Sequence, residues 1–186
     1  RRGRAMPGPA LVLIDLQRAV DGPSWGERNN PHAESNARTL LQKWRARGGL
    51  IVHVRHDSTE PHSTYRPGQP GHEFKPETAP LAGEIVVAKS VNSAFIGTGL
   101  EQLLRSAGIG ELVVCGVCTN NSVETTVRHG ANLGFRITLV EDACFTFGRR
   151  DYQGRARTAD EVHAMSLANL EGEYCRIART DELVAG

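Results

Sequence analysis

The sequence lacks a membrane-length apolar run, a dominant charge and a wealth of aromatics. No hydrophobic stretch approaches the roughly 18 residues a spanning helix needs. Lys plus Arg number 22 and Asp plus Glu 21, a formal net charge of +1. That balance excludes recognition of duplex nucleic acid or an anionic membrane by bulk field. Five Phe, three Tyr and two Trp are too few for a base-stacking platform. The four cysteines, Cys115, Cys118, Cys144 and Cys175, lie in or beside apolar segments, which suits a reducing cytoplasm better than a disulfide framework. Arg1-Arg2-Gly3-Arg4 is a poor export signal, because the apolar run after it is short and ends in Asp15. Residues 1–8 are expected to be a flexible N-terminus or a remnant of cloning, with Met6 as the natural start. The expectation is a cytoplasmic protein with a small-molecule substrate, no nucleic-acid partner and no membrane.

At 186 residues with 39% hydrophobic and 23% charged content, the chain can bury one sizeable core. Short apolar runs alternate with longer amphipathic stretches, the pattern of a parallel sheet with crossover helices. Strands are expected at Ala10–Leu16, Leu50–Val54, Glu84–Ala88, Glu111–Val117, Arg136–Val140 and Tyr174–Ala178. Asn30 before Pro31 predicts a helix start, with the helix running to about Arg47 before Gly48-Gly49. Thr98-Gly99-Leu100-Glu101 and Thr158-Ala159-Asp160-Glu161 read as capping boxes, the first opening a helix ended by Gly108 and the second one that reaches about Leu170. A third helix is expected from Asn121 to Leu133. Residues 56–83 carry five prolines without a sustained period, and so long a connection usually lies over a site. The fold expected is a single α/β domain over 9–180: a three-layer, doubly wound, Rossmann-like sheet of six mainly parallel strands.

In such sheets ligands bind beyond the carboxyl ends of the strands. Three chemically capable segments leave the sheet there. The first strand delivers Asp15, the third Lys89, and the fourth runs into Gly116-Val117-Cys118-Thr119-Asn120-Asn121-Ser122. The last is a strand-to-helix turn, where unpaired backbone N–H groups and the helix dipole favour developing negative charge and would acidify a thiol.

Ile14-Asp15-Leu16-Gln17, Ala88 to Phe95 and Gly116 to Glu124 resemble the three signature segments of the isochorismatase-like cysteine hydrolases. Trp25 to Pro31, Val54 to Ser58 and Asp142-Ala143 resemble one branch of that superfamily. The resemblance implies hydrolysis of a small amide or carbamoyl C–N bond through a Cys-Asp-Lys triad and an acyl-enzyme. It implies no cofactor, a cis peptide between Val117 and Cys118, and a homodimer or homotetramer. It assigns catalysis to Asp15, Lys89 and Ser122, and the oxyanion hole to the N–H groups of Cys118 and Ser122. The family's nucleophilic cysteine falls on Ser122, a weaker nucleophile that needs an adjacent base. Asp15 could serve only with a raised pKa, which a neighbouring Lys89 would oppose. The serine fits three origins: a deliberate replacement that traps substrate, a natural variant, active or silent, or a shifted register in which Cys118 attacks. The functional alternatives are vinyl-ether hydrolysis of an isochorismate-like compound and a catalytically silent binding subunit.

Trp25, Arg55, His56, Phe95 and Asn121 are the candidate substrate contacts. For Trp25 and Phe95, pocket lining and plain packing weigh equally. Arg55 and His56 could orient a carboxylate or carbonyl. His53, His56, Asp57 and His62 lack the metal spacing of the superfamily's nicotinamidases, so no metal is expected. Cys115-Gly116-Val117-Cys118 could be a redox pair, though Cys115 falls inside a strand. Asn29 and Asn30 read as helix-start residues, and Arg149, Arg150, Arg155 and Arg157 as a solvated basic loop.

Overall fold

The computed structural model describes residues 7–185. The expectations for Arg1–Met6 lie outside the described residues. Strand β1 (Ala10–Ile14) is buried along its whole length, as a strand covered on both faces must be. It pairs in parallel with β2 (Ile51–His56) on one side and β4 (Glu111–Val117) on the other. β3 (Ile85–Lys89), β5 (Arg136–Phe145) and β8 (Arg176–Ala178) complete a six-stranded parallel sheet of order β3-β2-β1-β4-β5-β8. The single α/β domain and its sheet are as the sequence implies. Helices α1 (Ala33–Ala46), α2 (Leu100–Ser106), α3 (Glu124–Asn132), α4 (Ala159–Leu170) and α5 (Thr180–Val184) flank it. Arg149, Arg150 and Arg157, assigned above to a loop, belong to a small antiparallel hairpin of β6 (Arg149–Arg150) and β7 (Ala156–Arg157).

The strand order reverses between β1 and β4, so the crevice beyond their carboxyl ends is the switch point where such sheets bind ligands. Several boundaries differ from expectation for local reasons. α1 begins at Ala33, not Pro31, because the Asn29 and Asn30 side chains are engaged elsewhere. Asn29 Oδ1 accepts from Thr146 N, and Asn30 Nδ2 donates to Glu141 O and Cys144 O. They hold the chain onto β5 and do not cap the helix. Only one of the two capping boxes forms. Thr158 accepts from Glu161 N while Glu161 accepts from Thr158 N. Thr98 Oγ1 donates instead to Ala94 O, and Gly99 takes the N-cap of α2.

Candidate active site

Asp15 follows β1 at φ 55°, a left-handed conformation that Asp tolerates better than most residues. Its approach to the β4 turn depends on Gly116. A Cβ there would lie 2.1 Å from Ile14 O, so only glycine lets the two backbones come so close. The peptide between Val117 and Cys118 is cis, at the position the resemblance gives. Residues 119–123 then form a single wide turn before α3, with non-helical backbone at Asn121. The third helix thus begins at Glu124 and not at Asn121.

Asp15, Lys89 and Ser122 are buried and meet. Lys89 Nζ lies 2.9 Å from Asp15 Oδ2 and 3.3 Å from Ser122 Oγ. A third contact, 2.8 Å, runs to His56 Nδ1. Asp15 Oδ1 is buried without a hydrogen-bond partner, which leaves an open acceptor on the carboxylate beside the serine. Burial raises the Asp15 pKa, outweighing the attraction of Lys89. Burial also lowers that of Lys89. Burial thus works against the charged form of each partner, while their mutual contact works for it.

The surrounding shell contains residues that the sequence did not single out for this work. Gln17, fully buried, accepts from His56 N and donates to His56 O and His72 O. It ties the ends of β1 and β2 together and reaches the long connection. Tyr65 donates to Asp15 O at 2.9 Å and sets its ring edge-on to His56. So the 56–83 segment does pack over this end of the sheet. Trp25, itself half-buried, donates to Thr64 Oγ1 and packs against the buried rings of Tyr65 and Phe147.

The other candidates have mixed fates. Arg55 is gripped by Asp57 through two hydrogen bonds from Nε and Nη2, which take up one edge of its guanidinium. Asn121 is exposed and accepts from Asn92 Nδ2. Phe95 is buried, stacked on Phe135 and tilted against His129; it is core packing under α3, not part of the rim. The Cys118 thiol is not acidified. Burial pushes its pKa up to about 12, which removes the thiolate that a shifted-register nucleophile would need. The free Cys115 is buried and likewise raised to about 12. Among the described residues no group of three or more His, Cys, Asp or Glu side chains could hold a metal ion. No described helix is long and apolar enough to cross a membrane.

The isochorismatase domain family matches residues 9–182. The chain belongs to the isochorismatase family. A crystal structure of an isochorismatase-family protein from Chromobacterium violaceum is similar at TM-score 0.94 and 63% identity, covering 98% of this chain and 94% of that one. An uncharacterised isochorismatase family protein from Bacillus subtilis is 40% identical over 94% of each chain. A streptothricin hydrolase from Streptomyces noursei is 35% identical over 74% of this chain, which spans 50% of that enzyme. The family assignment makes this chain an isochorismatase-family hydrolase.

Proposed function

We propose that the chain hydrolyses a small amide or carbamoyl C–N bond, with residue 122 as attacking group, Asp15 as proton shuttle and Lys89 as their electrostatic partner. The observation that carries this reading is the single buried ammonium within reach of both Asp15 and Ser122. In the reaction, the residue-122 nucleophile adds to the carbonyl carbon and its proton passes to the free oxygen of Asp15. The N–H groups of Cys118 and Ser122 receive the oxyanion. Asp15 then protonates the leaving amine, and the C–N bond breaks to give an acyl-enzyme. Asp15 next takes a proton from water, which attacks the acyl carbon; as the bond to residue 122 breaks and the acid leaves, Asp15 returns that proton to residue 122. Lys89 keeps its charge throughout. The steps call for no cofactor. Trp25 and Asn121 are proposed to line the substrate's approach.

The test is hydrolysis across a panel of small amides and carbamoyl compounds. Ser122→Cys should raise the rate by about 100-fold or more, because a thiol needs far less help to ionise. Adding Asp15→Asn to that variant should remove the gain. Failure of both forms on the whole panel, or undiminished activity without Asp15, overturns the proposal. The raised Asp15 carboxyl favours one second reading: acid-catalysed vinyl-ether cleavage, which needs no nucleophile. Release of pyruvate from isochorismate, undiminished by Ser122→Ala, would support it.

A further inference from the structure

The third contact of Lys89 has no part in the steps above. An ammonium offers three N–H donors and no acceptor. Two point at Asp15 Oδ2 and Ser122 Oγ, and the remaining one meets His56 Nδ1 at 2.8 Å. His56 must therefore accept there and carry its own proton on Nε2. We propose that His56 is a positioning residue: its neutral imidazole takes the third N–H of Lys89 and so holds the ammonium, charged and oriented, between Asp15 and residue 122.

The fold builds this contact deliberately from several directions. His56 and Lys89 are register partners across β2 and β3, so their backbones are fixed side by side. Gln17 closes on both the N–H and the C=O of His56. Asp57 N donates to Lys89 O, extending the β2–β3 pairing one residue further. The Tyr65 ring stands edge-on to the imidazole, 5.4 Å between centroids, and its hydroxyl is fixed on Asp15 O.

The charges facing the imidazole keep it neutral. Burial and the Lys89 ammonium bring its pKa down to about 4, and His72 adds to that effect. Asp57 pulls the other way, but its carboxylate is already engaged by Arg55 and His72. Asp15 lies beyond Lys89, whose ammonium it pairs. A neutral acceptor satisfies a buried cationic donor without competing with Asp15 for the charge, whereas a carboxylate in its place would draw Lys89 away.

This inference rests on the hydrolytic reading of the same three residues, but its test needs no substrate. In the intact chain, side-chain ¹⁵N spectra at about pH 7 should show His56 as the Nε2–H tautomer. An imidazolium or an Nδ1–H tautomer would overturn the proposal. In the Ser122→Cys chain, the rate of alkylation by iodoacetamide reports how well Lys89 stabilises the thiolate. His56→Phe keeps an aromatic ring but cannot accept, and should slow alkylation at about pH 7 roughly tenfold, the effect of one unit in thiol pKa. His56→Gln, whose amide oxygen can accept, should restore most of the rate. Equal rates in the parent and the Phe variant, or equal losses in Phe and Gln, would mean that the contact is mere packing. Absence of amide hydrolysis would instead refute the proposed function and leave the His56 result standing.

Discussion

Replacing Lys89 by Met should expose how much the buried pair costs the fold. The side chain has no exposed surface and Asp15 almost none. Met fills a similar volume, so the loss is electrostatic and not a cavity. In the variant Asp15 is left without its partner, and breaking such a pair typically costs about 3–5 kcal/mol. The carboxyl can limit that cost by taking up a proton. From an ordinary carboxylate pKa near 3.9, doing so at pH 7 costs about 4 kcal/mol, which sets a ceiling on this route. A loss of about 3 kcal/mol is the expected value, or a melting temperature lower by about 6–12 °C for a chain of this size.

The pH dependence has a definite sign. In the variant, the folded-state pKa of Asp15 is raised above its unfolded value. The folded state then binds more protons, so stability falls as pH rises from about 4 and the penalty vanishes in acid. The parent already carries a milder form of this burden, since burial raises Asp15 and lowers Lys89. Substituting both residues, Asp15→Asn with Lys89→Met, removes both buried charges and should match or exceed the parent's stability, by up to about 4 kcal/mol. Urea unfolding of the four proteins at about pH 5 and 7 decides it. A double variant no more stable than either single one, or a Lys89→Met penalty independent of pH, would refute the view that this pair is retained for chemistry at the expense of stability.

Gly116→Ala should destabilise the fold by about 3 kcal/mol or more, because its methyl would meet the Ile14 backbone at φ 136°; an unchanged melting temperature would contradict the close approach. Native Cys118, its thiol near 12, should resist iodoacetamide at about pH 8 by intact-mass measurement, and rapid labelling there would restore it as a candidate nucleophile. Glu84 is held by Arg45 and His53, with its pKa pulled down to about 2. Glu84→Gln should therefore cost about 1–2 kcal/mol at pH 7. That difference should fade as pH drops below about 4.5 towards 2, because the parent then loses the same interaction.

The strand ends carrying Asp15, Lys89 and the 116–122 turn were legible because buried parallel strands are continuous apolar runs and the ligand edge follows from topology. β4 has the bounds expected of it. β2 and β5 are longer than expected, and for one reason. Arg55 and His56 look like loop residues, yet they pair with Ala88 and Lys89. β5 continues through Glu141 and Asp142 across a register shift opposite Val114 and Gly116. Polar side chains at the functional end of a strand mask a ladder that runs on beneath them. The roles of Gln17 and His56 depend on that hidden register. Phe95 was ambiguous for the opposite reason: an apolar residue past a strand end fits a rim or a core, and only the position of Phe135 decides between them.

The geometry also bears on why cysteine should outperform serine at position 122. A base is most useful when its pKa lies near the working pH, since one set too low is weak and one set too high is already protonated. Burial moves the Asp15 carboxyl upward, towards that optimum. A thiol starts at about 8.5, far below an alcohol, so raising the carboxyl narrows the gap across which its proton must pass, and the Lys89 ammonium can hold the resulting thiolate. A serine hydroxyl ionises far less readily. For it, the same carboxyl must take the proton during attack, and the Lys89 hydrogen bond onto Ser122 Oγ draws electron density from the neutral oxygen and weakens it as a nucleophile. The surroundings thus favour an anion that is already formed over one made in the transition state. If Ser122→Cys gave no faster hydrolysis while its thiol alkylated readily at neutral pH, the site would be able to form the anion without using it, and catalysis would have to be sought in the acid role of Asp15.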